Sequence, residues 1–304
     1  MEEGKSSLTS LIAAFGRAYH SEFDSPKIFN DYLAKELITT EEFHSIKENM
    51  VQGIAFFNQE IAEKSLENKE EIIKWITQVQ LSPTPLARAA YCEQVVGTEM
   101  KLGLKQYVIL GAGLDTFCFR HPEMEHTLDI FEVDHPDTQA WKQEKLTKAG
   151  FTIPGNLHFV AMDFTKDFLV QKLLDAGFSN QKTLFSLLGV SYYLTKEENA
   201  NLINQLFANV PHGSSIVLDF ADERLFTEKG VSNRVENMVK MAAASGEPMR
   251  SCFSYAEMES MLEQSGLLIY EHLTPERIHE LYFDKRTDYL SAFETIHYIH
   301  AVKK

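Results

Sequence analysis

Residues 107–142 read YVILGAGLDTFCFRHPEMEHTLDIFEVDHPDTQAWK. The apolar run Tyr107-Val108-Ile109-Leu110 ends in Gly111-Ala112-Gly113 and then Asp115. A second run, Ile130-Phe131, leads into Glu132-Val133-Asp134. A strand, a glycine turn and a later strand ending in acid form the pattern with which an α/β sheet grips a nucleoside.

Outward from this stretch the pattern alternates. Apolar strand candidates stand at Tyr107–Leu110, Asp129–Val133, Leu157–Met162, Thr183–Gly189, Ser214–Phe220, Leu267–His272 and His297–Val302. Helical stretches lie between most of them, at Thr138–Ala149, Asp167–Ala176, Lys196–Asn209 and Tyr255–Ser265. The alternation predicts βαβ units in a mainly parallel sheet, with right-handed crossovers and a crevice at the carboxyl ends of the strands. Residues 221–253 exceed a simple connection and predict one or two helices broken at Ser245-Gly246-Glu247-Pro248. Inserted after a central strand, they are expected above the crevice as a lid or substrate wall, the alternative being a surface excursion.

Residues 1–100 read mostly as helix. Leu8, Leu11, Ile12 and Phe15 have helical spacing, with Thr9 or Ser10 as nearby caps. Ser25-Pro26 breaks the pattern, and further helices are expected at Asp31–Leu37, Thr40–Ile46, Met50–Ser65 and Glu70–Gln80. Ser82-Pro83-Thr84-Pro85 reads as an interruption before a helix at Leu86–Val96, because proline disfavours helix in the residue before it. The expected organisation is an N-terminal helical segment or cap over residues 1–100 and a nucleoside-binding domain over 101–304 that carries the 221–253 insertion.

A chain of 304 residues with 44% hydrophobic and 24% charged residues suits a soluble globular protein. Its formal charge of −15 opposes a nucleic-acid or anionic-membrane partner, and no Lys/Arg cluster overrides that. Cys92, Cys118 and Cys252 form no Cys-x-x-Cys pair, so neither zinc nor a dithiol centre is indicated. The acidic, polar start MEEGKSSLTS lacks the regions of a signal peptide, and no apolar run reaches a membrane span. A cytoplasmic protein without metal is expected, its oligomeric state unspecified.

The dinucleotide fingerprint places a third glycine where this chain has Thr116, so the match is Gly-x-Gly alone. Asp134, about 20 residues past the turn, can accept from both ribose hydroxyls, which suits NAD and S-adenosyl-L-methionine equally. The third strand separates them. Phe159-Val160-Ala161-Met162 ends at Asp163, which can accept from an adenine amine, with Phe164 against the ring. Acids at Asp115, Asp134 and Asp163 would repel a pyrophosphate and suit a cationic sulfonium, so S-adenosyl-L-methionine is favoured.

The sequence resembles the leucine carboxyl methyltransferase family of class I S-adenosyl-L-methionine-dependent methyltransferases, including its bacterial polyketide O-methyltransferase-like branch. The matching motifs are Ser7-Leu8-Thr9 with Arg17-Ala18, Pro26–Asp31, Leu86-Ala87-Arg88, Leu110–Thr116, Phe119-Arg120 and Glu132-Val133-Asp134-His135-Pro136 with Lys142. They continue through Gly189-Val190, Tyr193-Leu194 and Ser245-Gly246-Glu247-Pro248. The resemblance implies a Rossmann-like sheet of seven strands, mostly parallel with the last antiparallel. It also implies that Arg88 binds the cofactor carboxylate, that Gly111 and Gly113 approach its methionine part, that Asp134 holds the ribose, and that Asp163 and Phe164 hold the adenine. Glu132 is read as structural. Family members often carry a glutamate where this chain has Leu188.

Methyl transfer from a sulfonium is an in-line displacement governed by positioning and desolvation. A carboxylate acceptor needs no base; a hydroxyl does, with histidine the best suited type. Tyr192 and Tyr193 are candidates to line the acceptor site. His135, next to the ribose grip, is read as structural; among His212, His272 and His279 none has metal-ligand spacing with another, and Arg234, Arg250 and Tyr255 could meet an anionic acceptor. The expected function is O-methylation of a small-molecule carboxylate or hydroxyl. The alternatives are a protein C-terminal carboxyl methyltransferase, a non-catalytic cofactor-binding protein and an NAD-dependent oxidoreductase.

Overall fold

The structure is a computed structural model that describes residues 7–64, 68–165 and 170–304. Its strands are β1 Gln106–Leu110, β2 Asp129–Asp134, β3 Leu157–Ala161, β4 Thr183–Leu187, β5 Ser215–Ala221, β6 Leu267–Leu273 and β7 Ile296–Lys303. They form one sheet in the order β3-β2-β1-β4-β5-β7-β6. The pairs β3-β2, β2-β1, β1-β4 and β4-β5 are parallel, whereas β7 runs antiparallel to both β5 and β6. The expected sheet, with its last strand reversed, is what forms.

Strand β1 is buried along its whole length. Tyr107 and Ile109 enter one core cluster with Leu86, Tyr91 and Val95, while Val108 and Leu110 enter a second with Phe185, Ile203 and Phe207 on the opposite face. Side chains alternate along a strand, so a sheet covered on both faces requires the unbroken apolar runs seen in the sequence. Leu110 pairs with Val133 and with Leu187, which brings the ends of β1, β2 and β4 level. Strand order reverses between β1 and β4, the place where open α/β sheets form their crevice.

Helices α1 Leu8–Phe23, α2 Thr40–Gln52, α3 Ile54–Phe57, α4 Gln59–Lys64, α5 Lys69–Ile76 and α6 Pro83–Lys101 precede the sheet. The cap of α1 is Ser7, not Thr9 or Ser10: its Oγ lies ahead of the first turn and accepts from the Ser10 N–H. The expected helix Asp31–Leu37 is only a 3-10 turn over Ala34–Leu37, because Asp31 is drawn into ion pairing with Arg17. The expected helix Met50–Ser65 is divided near Gly53 and Asn58, and Ser65 lies outside the described residues.

Ser82–Pro85 is not an interruption. A π-turn over Thr77–Leu81 carries α5 directly into α6, with Pro83 in the first turn, where a missing N–H breaks no intrahelical bond. This N-terminal region packs through Phe15, Leu37, Ile72 and Ile76 onto Leu114, just past the glycine turn.

The later helices are α7 Phe117–Arg120, α8 Pro136–Lys148, α9 Val170–Asp175, α10 Lys196–Ala208, α11 Arg234–Ala244, α12 Tyr255–Gln264 and α13 Pro275–Tyr282. The start of the expected helix Asp167–Ala176 lies outside the described residues, as do residues 1–6 of the polar start. The sequence reading missed α13, although Thr274 and Pro275 form an ordinary helix start. Within 221–253, Ala221 still pairs in the sheet with Ile296 and α11 is the main element. Among the described residues no helix is long and apolar enough to cross a membrane.

Candidate active site

A cleft of about 220 Å³ opens at the carboxyl ends of β1 and β4. Gly111–Leu114 and Leu188-Gly189 form its floor. Leu8, Thr9 and Ile12 of α1, Met238 and Met241 of α11, and Phe293 form an apolar wall opposite. Arg88, Gly111, Gly113, Tyr192 and Tyr193 are thus brought together, from segments more than a hundred residues apart. Beneath the glycine turn a smaller recess continues past Arg88 toward Asp115 and Arg120.

The backbone of the glycine turn is held in place from two sides. Asp134, the last residue of β2, accepts the Gly113 N–H through Oδ2 and the His135 N–H through Oδ1, each at 2.6 Å. Burial raises its carboxyl above the usual range, against the pull of these two N–H groups. Gly113 has φ +49°, and a Cβ there would lie 2.7 Å from Ser10 Oγ, so α1 can close on the turn only over glycine. Thr116, where a third glycine was absent, donates its hydroxyl to Asp31 Oδ1 at 2.5 Å. Asp31 also pairs with Arg17 at 2.8 Å and Arg120 at 3.4 Å. Burial opposes its charge, but the two arginines prevail and hold its carboxyl below the usual range. Arg17 in turn donates to the Leu114 carbonyl at 2.7 Å.

Arg88 projects from α6 into the same cleft. Its Nη1 donates to Asp219 Oδ2 and to the Tyr192 hydroxyl, both at 3.1 Å. Asp219, in the middle of β5, is completely buried, and its Oδ1 accepts the Gly189 N–H at 2.7 Å. The sequence reading missed this residue. Its signal was an acid inside the otherwise apolar central run Ile216–Ala221, a place where a carboxylate needs a partner. Leu188 does leave the loop after β4 without an acid, and the carboxylate beside Arg88 comes from the next strand instead.

Glu132 has the structural role expected of it. It forms a buried ion pair with Lys142 of α8, tying β2 to the helix behind it. Burial pushes its carboxyl up to about 7, with the Lys142 ammonium acting in the opposite direction.

Asp163 and Phe164 stand at the end of β3 and do not line the cleft. Asp163 accepts from the Thr165 N–H and hydroxyl at 3.0 and 2.7 Å, and lies 3.9 Å from His135 Nε2 beside Asp134. Phe164 packs, half-buried, against the core cluster of Val133, Val160 and Met162. His135 caps α8. His272 stacks between Tyr255 and His297 at the far edge of the sheet, and His212 and His279 are not in the cleft wall. Arg234 is buried on the Ser291 carbonyl and Glu294, and Arg250 pairs at the surface with Glu198. Neither arginine reaches the cleft. Among the described residues no cluster of ligands could hold a metal.

Residues 10–207 match the leucine carboxyl methyltransferase family. A Bacillus subtilis (strain 168) protein bearing the name of an S-adenosyl-L-methionine-dependent methyltransferase, YktD, is 67% identical over the full length of both chains. A similarly named Mycolicibacterium gilvum (strain PYR-GCK) protein is 38% identical over 118 residues, 38% of this chain and 47% of that one. The crystal structure of a DUF574 family protein from Streptomyces avermitilis MA-4680 shares the fold. It has a TM-score of 0.54 and 17% identity, covering 72% of this chain and 84% of that chain. With the glycine turn, its carboxylate support and the sheet order in agreement, the chain belongs to the leucine carboxyl methyltransferase family.

Proposed function

We propose that this S-adenosyl-L-methionine-dependent methyltransferase acts on a small molecule, methylating a carboxylate or hydroxyl oxygen in the cleft above the glycine turn. The observation that carries the reading is the convergence of Arg88 and the Gly111–Gly113 backbone on one cleft whose opposite wall is apolar, with the Asp134 carboxylate accepting the Gly113 N–H at its margin. These residues fit the cofactor. Arg88 offers a guanidinium edge to an amino-acid carboxylate, the turn lets main chain approach closely, and Asp134 has lone pairs left for ribose hydroxyls. Asp163 is suited to the adenine amine beyond Asp134. When bound, S-adenosyl-L-methionine supplies a methyl group on a sulfonium, open to in-line displacement by an oxygen nucleophile.

The chain's own part is to position the two reactants and to keep water out. Leu8, Ile12, Met238, Met241 and Phe293 give the acceptor an apolar surface. The hydroxyls of Thr9 and Ser7 donate to Glu247 at 2.5 and 3.3 Å, clasping α1 to the turn after α11. That clasp favours a small acceptor over a chain terminus. The described cleft wall contains no histidine or carboxylate, and burial raises the phenols of Tyr192 and Tyr193. Neither phenol can take a proton at neutral pH, so an acceptor that arrives ionised suits the site best.

The test is incubation of the purified protein with methyl-labelled S-adenosyl-L-methionine and a deproteinised extract, or with the protein fraction of the same lysate. Label in organic-extractable small molecules is expected. Label in protein alone would overturn the small-molecule reading, and label in neither would favour a non-catalytic binder.

A further inference from the structure

We infer that Asp219 is a positioning residue for cofactor binding, which fixes the guanidinium of Arg88 so that its remaining edge meets the cofactor's carboxylate. The inference rests on the reading of the cleft as the S-adenosyl-L-methionine site.

Asp219 is completely buried in β5, whose other residues from Ile216 to Ala221 are apolar. A buried carboxylate is costly unless its oxygens are occupied, and both are. Oδ1 accepts the Gly189 N–H at 2.7 Å and Oδ2 accepts from Arg88 Nη1 at 3.1 Å. Burial raises its carboxyl above the usual range, against the pull of Arg88 and of the Gly189 N–H.

Asp219 itself cannot be the cofactor ligand, since it lies behind Arg88 and Gly189 and does not line the cleft. Its influence has to pass through those two residues. Gly189 has φ +74°, and a Cβ there would stand 2.6 Å from both terminal nitrogens of Arg88. The terminal nitrogens of the guanidinium are therefore held close against the main chain after β4, the same main chain whose Gly189 N–H the Asp219 carboxylate accepts.

Among the described residues, Nη1 is the nitrogen of Arg88 with hydrogen-bond partners, Asp219 and Tyr192. Arg88 lines the cleft, and its Nη2 edge is assigned the contact with the cofactor's carboxylate. A planar guanidinium recognises a carboxylate through two parallel N–H groups, so its orientation decides whether that contact is bidentate. Leu188 stands in the loop after β4, which brings no carboxylate of its own beside Arg88.

The experiment compares two ligands on wild type and Asp219→Asn by calorimetric titration. S-adenosylhomocysteine carries the amino-acid carboxylate, whereas 5′-deoxy-5′-methylthioadenosine has the same nucleoside without it. In Asp219→Asn the first is expected to bind at least tenfold more weakly and the second within twofold of wild type. A general loosening of the fold would weaken both. Equal loss of both ligands, or no loss of either, would overturn the inference while leaving the cofactor reading intact. A wild-type protein that binds neither ligand would overturn the cofactor reading, and this inference with it.

Should Asp219→Asn not fold, the ligand-free wild type carries the test. Its Arg88 guanidinium N–H resonances, assigned by their loss in Arg88→Lys, are expected to be resolved and slowly exchanging before ligand is added. Resonances that become resolved only with S-adenosylhomocysteine would show that Asp219 does not pre-orient the group.

Discussion

Replacing Asp134 by asparagine keeps the size of the side chain and removes one of its two acceptors. In the structure those oxygens accept the N–H groups of Gly113 and His135 at 2.6 Å. An amide can satisfy only one of them and turns its NH2 toward the other. A hydrogen bond to a charged acceptor contributes about 1.5–3 kcal/mol. The neutral amide recovers part of that in the fold, because burial already disfavours the charge at this position. The fold is thus expected to lose no more than about 2 kcal/mol, seen as a small drop in Tm with a single sharp transition.

The ligand has no such offset. A ribose that donates to a carboxylate loses one charged acceptor, which corresponds to about a 10- to 150-fold weaker Kd. Calorimetric titration of the variant with S-adenosylhomocysteine reads this directly. An affinity within twofold of wild type would refute the placement of the ribose at the end of β2.

Other consequences test separate parts of the account. Lys142→Met leaves the buried Glu132 without its partner and is expected to cost about 3–5 kcal/mol in chemical denaturation, with Glu132→Gln in the same chain restoring much of it. Gly189→Ala places a Cβ 2.6 Å from the Arg88 guanidinium at a positive φ, so S-adenosylhomocysteine affinity should fall at least tenfold. His272 is pushed down to about 4 by burial and by His297 beside it. The unfolded chain then binds a proton that the fold does not, so this residue makes stability decline as pH falls from its ordinary value of 6.5 to about 4. His272→Phe should flatten that slope in thermal unfolding measured across the window. Thr9→Val with Ser7→Ala removes the clasp on Glu247 and should raise KM for the acceptor more than for the cofactor.

The sheet was legible because its central strands are buried on both faces and so announce themselves as unbroken apolar runs between turns. The glycine turn and Asp134 were legible because their spacing is local to one βαβ unit. Elsewhere the determining partner lies far along the chain. Pro83 and Pro85 look like a break until the π-turn before them delivers the chain in helical direction. Thr116 looks like a failed glycine until Asp31, 85 residues earlier, is seen accepting its hydroxyl. Asp219 and Arg88 are 131 residues apart, and neither alone says that one holds the other. Arg234 and Arg250, charged residues in an insertion above the crevice, suggested ligand contacts. Their side chains are instead occupied by carbonyls and glutamates of the protein itself.

The central claim is that the cleft above Gly111–Gly113 holds S-adenosyl-L-methionine. Calorimetric titration of the purified chain with S-adenosylhomocysteine, with NAD as the comparison ligand, tests it most directly. One site per chain for S-adenosylhomocysteine and no heat with NAD is the predicted result. Silence with S-adenosylhomocysteine at millimolar concentration, together with saturable binding of NAD, would contradict it.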